Sequence, residues 1–129
     1  MRVTAEELFW HRDEANRSEL VRGQLRLAPF AHMLEADIST VIAVSLATWV
    51  RKHRLGKVYA PCGFIPERDP DTVRAPDCAF VRTERVIDTD YYFPGAPDLA
   101  VEVVAVTDTL EVDDVVPGWK MPLAEVFEE

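Results

Sequence analysis

The chain has 129 residues, of which 48% are hydrophobic and 29% charged, an ordinary composition for one globular domain with a modest core. Its net charge of −9 repels nucleic acid wherever basic residues do not cluster locally. The opening MRVTAEELFWHRDE is too charged for a secretory leader, the apolar runs read as too short to span a bilayer, and the expected compartment is the cytoplasm.

Taken in chain order, the first signal is Thr4 followed by Glu7, the spacing of a capping box, which predicts a short helix over residues 4–11. SELVRGQLRLAP follows, with Arg22-Gly23 between short alternating runs. It predicts a β-hairpin with strands near 18–21 and 24–28. Next, Leu34, Ile38, Val41, Ile42, Leu46, Trp49 and Val50 recur at three- and four-residue steps, the mark of an amphipathic helix of about six turns. Lys52, His53 and Arg54 fall in its last turn, where cations suit the helix dipole, and Gly56 is placed to end it.

KVYAPCGFIP, TVRAPDCAFV and PDLAVEVVAV each read as a strand, with the aromatic loop DTDYYFPGAP between the last two. The third is apolar on both faces, which predicts a central strand covered on both sides. The tail carries a turn at Pro117-Gly118 and a short helical pattern. Cys62 and Cys78 have fifteen residues between them, and His11, His32 and His53 are as scattered. That spacing suits two reduced thiols rather than a cysteine or histidine metal site.

The chemistry-bearing residues are two acids inside apolar strands. Asp77 interrupts the face shared by Val73, Ala75, Ala79 and Val81, and Glu102 the face of Ala100 and Val104. A buried, unpaired carboxylate costs several kcal/mol or moves its pKa upward. Two such acids on neighbouring strands repel unless a cation lies between them. Mg²⁺ takes hard oxygen ligands and keeps several waters, so two or three carboxylates suffice to hold it. The alternative is that Asp77 and Glu102 are strand-end residues, solvated or paired with arginine.

The order ELVRGQL, APFAH opening the long helix, VRAPDCAFV, and GAPDLAVEVV, taken up again at VVPGWKMPLAEVF, resembles the Uma2 (DUF820) family of restriction-endonuclease-like proteins in the PD-(D/E)XK superfamily. The resemblance implies an α/β fold: a restriction-endonuclease-like core, a mixed sheet with a long helix packed on it. It also implies metal-dependent hydrolysis of DNA phosphodiester bonds. Asp77 matches the aspartate of the PD motif and Glu102 the acid of the (D/E)XK motif, both as ligands of Mg²⁺ or Mn²⁺. Glu19 matches the hairpin-region glutamate, a further metal or water ligand. His32 matches a histidine that opens the long helix, either an accessory group or a residue that merely packs.

The departures from the pattern are specific. Val104 stands where the superfamily has its lysine, and the helix that usually carries a substitute lysine is not visible. Residues 1–129 therefore read as a single domain with an internal deletion after about residue 106, the C-terminal part of the core being missing. After Glu102 the only basic residue is Lys120, whereas phosphodiester cleavage needs a cation near the developing charge. Arg74 is expected to point away from Asp77. Leu99, Val101 and Val103 need a new cover, from the terminal segment or from a second chain, so a homodimer or a paralogous partner enters as a hypothesis. Arg51, Lys52, Arg54 and Lys57 form the one basic cluster, read either as a phosphate contact or as a solvated helix end. Three readings remain open: an endonuclease, an inactive nuclease-fold interaction partner, and an unrelated small binding module.

Overall fold

The computed structural model describes residues 2–11, 17–28, 33–103, 109–111 and 115–122. Helix α1 spans Ala5–Trp10. Its capping box is formed: the Thr4 hydroxyl accepts from the Glu7 amide at 3.1 Å, and the Glu7 carboxylate accepts from the Thr4 amide at 3.2 Å. Strands β1 (Arg17–Val21) and β2 (Gln24–Ala28) pair antiparallel around Arg22-Gly23. Arg22 and Gly23 have φ of 50° and 79°, the two left-handed residues that a two-residue type I′ turn requires. The turn is anchored on both sides, by the Val3 amide donating to the Gly23 carbonyl and the Gly23 amide donating to the Asp71 carbonyl.

Helix α2 spans Met33–His53 and buries Ile38, Ile42, Leu46 and Val50, one per turn on a single face. Each such burial contributes about 1.5–3 kcal/mol. The helix stops earlier than Gly56. Arg54 adopts φ 54°, its amide donates to the Arg51 carbonyl, and the Leu55 amide reaches back to the Val50 carbonyl. That is a Schellman ending, with an arginine where glycine is usual, and it leaves Gly56 to open the next strand. By length and a mean hydropathy of 1.4 over its apolar window, α2 would also suit a bilayer, so the reading that every run is too short does not hold for this helix. Core helices of globular domains pass the same test, and the buried stripe of α2 is spent against the sheet.

Two of the strands expected from sequence are each divided in the structure. KVYAPCGFIP becomes β3 (Gly56–Tyr59) and β4 (Phe64–Glu67), separated at Pro61 and Gly63. TVRAPDCAFV becomes β5 (Thr72–Arg74) and β6 (Cys78–Arg82), because Pro76 has no amide to give a ladder. The halves serve different sheets: β2-β1-β5-β4 in one, and β3-β6-β7 in the other, where β7 is Leu99–Val101. A two-stranded ladder joins β8 (Thr109–Glu111) and β9 (Lys120–Pro122). The helical pattern expected in the tail gives way to β9, and its remainder lies outside the described residues. All these ladders are antiparallel, with an isolated parallel bridge between Phe64 and Phe93. The α/β class, with a long helix packed on a sheet, is as expected.

The strand covered on both faces is β6 rather than β7. Cys78 and Phe80 point into the α2 cluster, while Ala79 and Val81 pack with Phe64 on the other side. Strand β7 is only partly buried and stands at the end of its sheet among the described residues. Leu99, Val101 and Val103 nevertheless have cover, since they pack with Val115, Val116 and Trp119 against α2. This cover is a turn rather than a helix. The Trp49 indole donates to the Pro117 carbonyl at 2.9 Å, and the Trp119 indole to the Ser45 hydroxyl at 3.3 Å. Gly118 has φ +79°, and a Cβ there would come within 2.8 Å of the Trp49 ring, so a side chain at this position would displace the indole.

Candidate metal centre

Strands β6 and β7 are paired through Cys78↔Val101, Ala79↔Ala100 and Phe80↔Leu99. One step beyond the first of these pairs, Cys78↔Val101, stand Asp77 and Glu102. Residues facing each other across an antiparallel pair have Cβ atoms about 4.5–5.5 Å apart. Pro76 ends the ladder just before Asp77, and the freed carboxylate turns onto the neighbouring strand: Asp77 Oδ2 accepts from the Val103 amide at 2.7 Å. Asp77 is half-buried and Glu102 is exposed. The buried Cys78 thiol registers both, since its pKa is pushed up to about 11, first by burial and then by the charges of Asp77 and Glu102.

The acids therefore sit at strand ends rather than inside apolar faces. The shared face expected for residues 73–81 is broken at Pro76, so the desolvation argument weakens. Both acids flank the same end of the ladder, Asp77 before β6 and Glu102 after β7. Arg74 pairs with another acid: its guanidinium Nε lies 3.5 Å from Glu19 Oε2.

Glu19 lies on β1, which meets β5 at Leu20↔Val73. Its Oε2 accepts from the Ala75 amide at 2.7 Å. This carboxylate holds the turn that leads into Asp77. Among the described residues, no group of three or more His, Cys, Asp or Glu side chains converges on one point, so Glu19 does not join the Asp77–Glu102 pair as a third donor. His32 and Val104 lie outside the described residues. Lys120 falls on β9, in register with Glu111.

One acid went unnoticed in the sequence. Asp98 enters β7 behind Ala96-Pro97 as Asp77 enters β6 behind Ala75-Pro76. Asp98 Oδ2 accepts from the Arg82 amide at 2.8 Å, and its Oδ1 lies 2.9 Å from Arg85 and 3.9 Å from Arg82. Burial alone would raise its pKa, but the Arg82 amide and the Arg85 guanidinium hold it below the usual carboxylate range. The repeated Ala-Pro-Asp tripeptide was the available signal. The basic cluster is brought together as well: Arg51, Arg54 and Lys57 line a cavity of about 660 Å³ with Thr83, near the end of β6 remote from Asp77.

A family model for Uma2, described as "Putative restriction endonuclease", matches residues 5–123. No curated protein matches the chain. Among solved structures, the crystal structure of a "putative nuclease belonging to DUF820" from Anabaena variabilis superposes with a TM-score of 0.65 at 16% identity, over 80% of this chain and 59% of that one. At such identity the likeness is one of fold, and this chain spans well under two thirds of its counterpart. With the family match running through nearly all of the sequence, the chain belongs to the Uma2 family.

Proposed function

We propose that this protein is a metal-dependent endonuclease-like domain that hydrolyses DNA phosphodiester bonds, with Asp77 and Glu102 as ligands of Mg²⁺ or Mn²⁺. The observation that carries the reading is that both acids flank the Cys78↔Val101 end of the β6–β7 ladder, Asp77 just before β6 and Glu102 just after β7. The donor set fits a hard dication: two carboxylates from adjacent strands, with Asp77 Oδ1 making no hydrogen bond among the described residues while Oδ2 takes the Val103 amide. Such an ion, when bound, lowers the pKa of water and polarises a phosphoryl oxygen.

The chain's own contribution is positional. The Val103 amide fixes the Asp77 carboxylate, and the Glu19 carboxylate fixes the Ala75 amide two residues upstream. Glu102, exposed at the edge, can accept a proton from water entering from solvent. A cytoplasmic setting fits DNA as the substrate.

A second reading has specific support: an inactive nuclease fold acting as an interaction or regulatory partner. Val104 replaces the expected lysine, the net charge is −9, and no third donor joins the pair among the described residues. A plasmid-nicking assay with Mg²⁺ or Mn²⁺ separates the two. Nicking by the wild type that disappears in Asp77→Ala supports the enzyme. Tight calorimetric binding of Mn²⁺ without nicking supports the partner. Equal nicking by both proteins rejects catalysis at this pair.

A further inference from the structure

On the face of β6 turned away from α2, a second concavity is built from aromatic rings. Tyr59, Phe64 and Phe93 stand in a row with centroid separations of 6.4 and 5.6 Å. With Ile87, Thr89 and Tyr91 they line a cavity of about 170 Å³. Its outer part continues into a groove that shares Tyr59, Ile87 and Thr89 and adds Lys57, Asp88 and Asp90. Core packing on Ala79 and Val81 accounts for the rings but not for the acids at their rim.

The charge at the mouth decides what suits it. Asp88 and Asp90 outnumber Lys57, and the whole chain is strongly acidic, so a phosphate-bearing ligand is repelled. A purely apolar ligand gains nothing from two carboxylates. A cation with an apolar coat satisfies both parts, because aromatic faces attract cations through their quadrupole, and more strongly once water is excluded. Phe93 shows the same preference within the molecule, with the Arg85 guanidinium carbon 5.5 Å from its ring centroid. Burial, with the charges of Cys62 and Asp88, raises the Tyr59 phenol above its ordinary range, so this ring stays neutral and electron-rich at physiological pH.

We infer that this cavity is a binding site for alkylated ammonium groups, with Tyr59, Tyr91 and Phe93 as its aromatic lining and Asp88 and Asp90 supplying counter-charge. The site is independent of the metal reading, since none of its residues belongs to the Asp77–Glu102 pair.

The test is calorimetric titration of the full chain with choline and with its neutral isostere 3,3-dimethylbutan-1-ol. Choline is expected to bind at least about tenfold more tightly, equivalent to ~1.4 kcal/mol. Tyr59→Leu, which keeps bulk and removes the ring, is expected to weaken choline by about tenfold. Asp88→Asn, at an exposed position that does not endanger folding, is expected to weaken it several-fold while leaving the isostere unchanged. Equal binding of the two compounds, no choline binding, an unaltered choline affinity in a cooperatively melting Asp88→Asn, or tighter binding of thymidine monophosphate would each overturn the assignment.

Discussion

The two ends of the β6–β7 ladder begin from the same three residues. Ala75-Pro76-Asp77 leads into β6, and Asp77 crosses to the Val103 amide; Ala96-Pro97-Asp98 leads into β7, and Asp98 crosses to the Arg82 amide. The backbone logic is shared: proline stops one strand, and the following carboxylate closes the end of its neighbour. The surroundings then diverge. Asp98 is nearly buried and meets Arg82 and Arg85. Asp77 is half-buried, stands at the same end of the ladder as Glu102, and makes no ion pair among the described residues. A carboxylate neutralised by arginines holds structure, whereas the proposed role of the Asp77 end is to hold a cation.

This contrast can be broken most severely through activity. If the Asp77 end is the working one, Asp77→Ala or Glu102→Gln should lower Mg²⁺-dependent nicking by a factor of about 10² or more. Asp98→Asn should retain most of it at a temperature where the variant stays folded. Parallel losses in all three would mean that the two ends do not differ in role.

Stability should show the opposite ranking. Asp98→Ala leaves an amide and a guanidinium without their acceptor and should cost about 2–3 kcal/mol in urea unfolding. Asp77→Ala loses one amide hydrogen bond but relieves the repulsion from Glu102, so its cost should stay below about 1 kcal/mol.

Acid titration sharpens the comparison further. The folded-state pKa of Asp98 is depressed below its ordinary value of 3.8. Its stabilisation is therefore fully present above that value and is lost as pH falls through the depressed one. The stability gap between wild type and Asp98→Asn should be constant near neutrality and close in the acid range below 3.8. A gap that persists at the acid end would remove the ion pairs as its source.

The smallest effect is spectroscopic. In a Cys62→Ser background, the thiolate absorbance of Cys78 should titrate near 11. Followed along its acid-side foot, where Mg²⁺ stays soluble, that titration should move downward on saturating Mg²⁺, because an ion between Asp77 and Glu102 offsets the charges that help raise it. An unmoved titration would place the ion elsewhere.

How much of this could be read beforehand depends on the range of each signal. The capping box at Thr4 and Glu7, the type I′ hairpin and the stripe of α2 are local patterns, and each appears where the spacing put it. The split strands were missed because Pro61 and Pro76 were read as sitting within strands, although each removes a ladder donor. The facing of Asp77 and Glu102 needs a register that joins residues far apart in sequence, and apolar patterning cannot supply one. Asp98 was hidden for the same reason, since Arg82 and Arg85 reach it only after β7 returns beside β6. The cover over Leu99 and Val101 was foreseen as a need, but not as a turn carrying Trp119.

That turn has a consequence for biosynthesis. The indoles of Trp49 and Trp119 each bond to the other's segment, so the helical half of the core is fastened by residues translated long after the helix itself. On the ribosome, α2 and β6 can meet early, but their common apolar surface stays open until residue 119 has emerged. A nascent chain stalled before that point should be a client for hydrophobic-binding chaperones, and release from them should coincide with arrival of the second tryptophan.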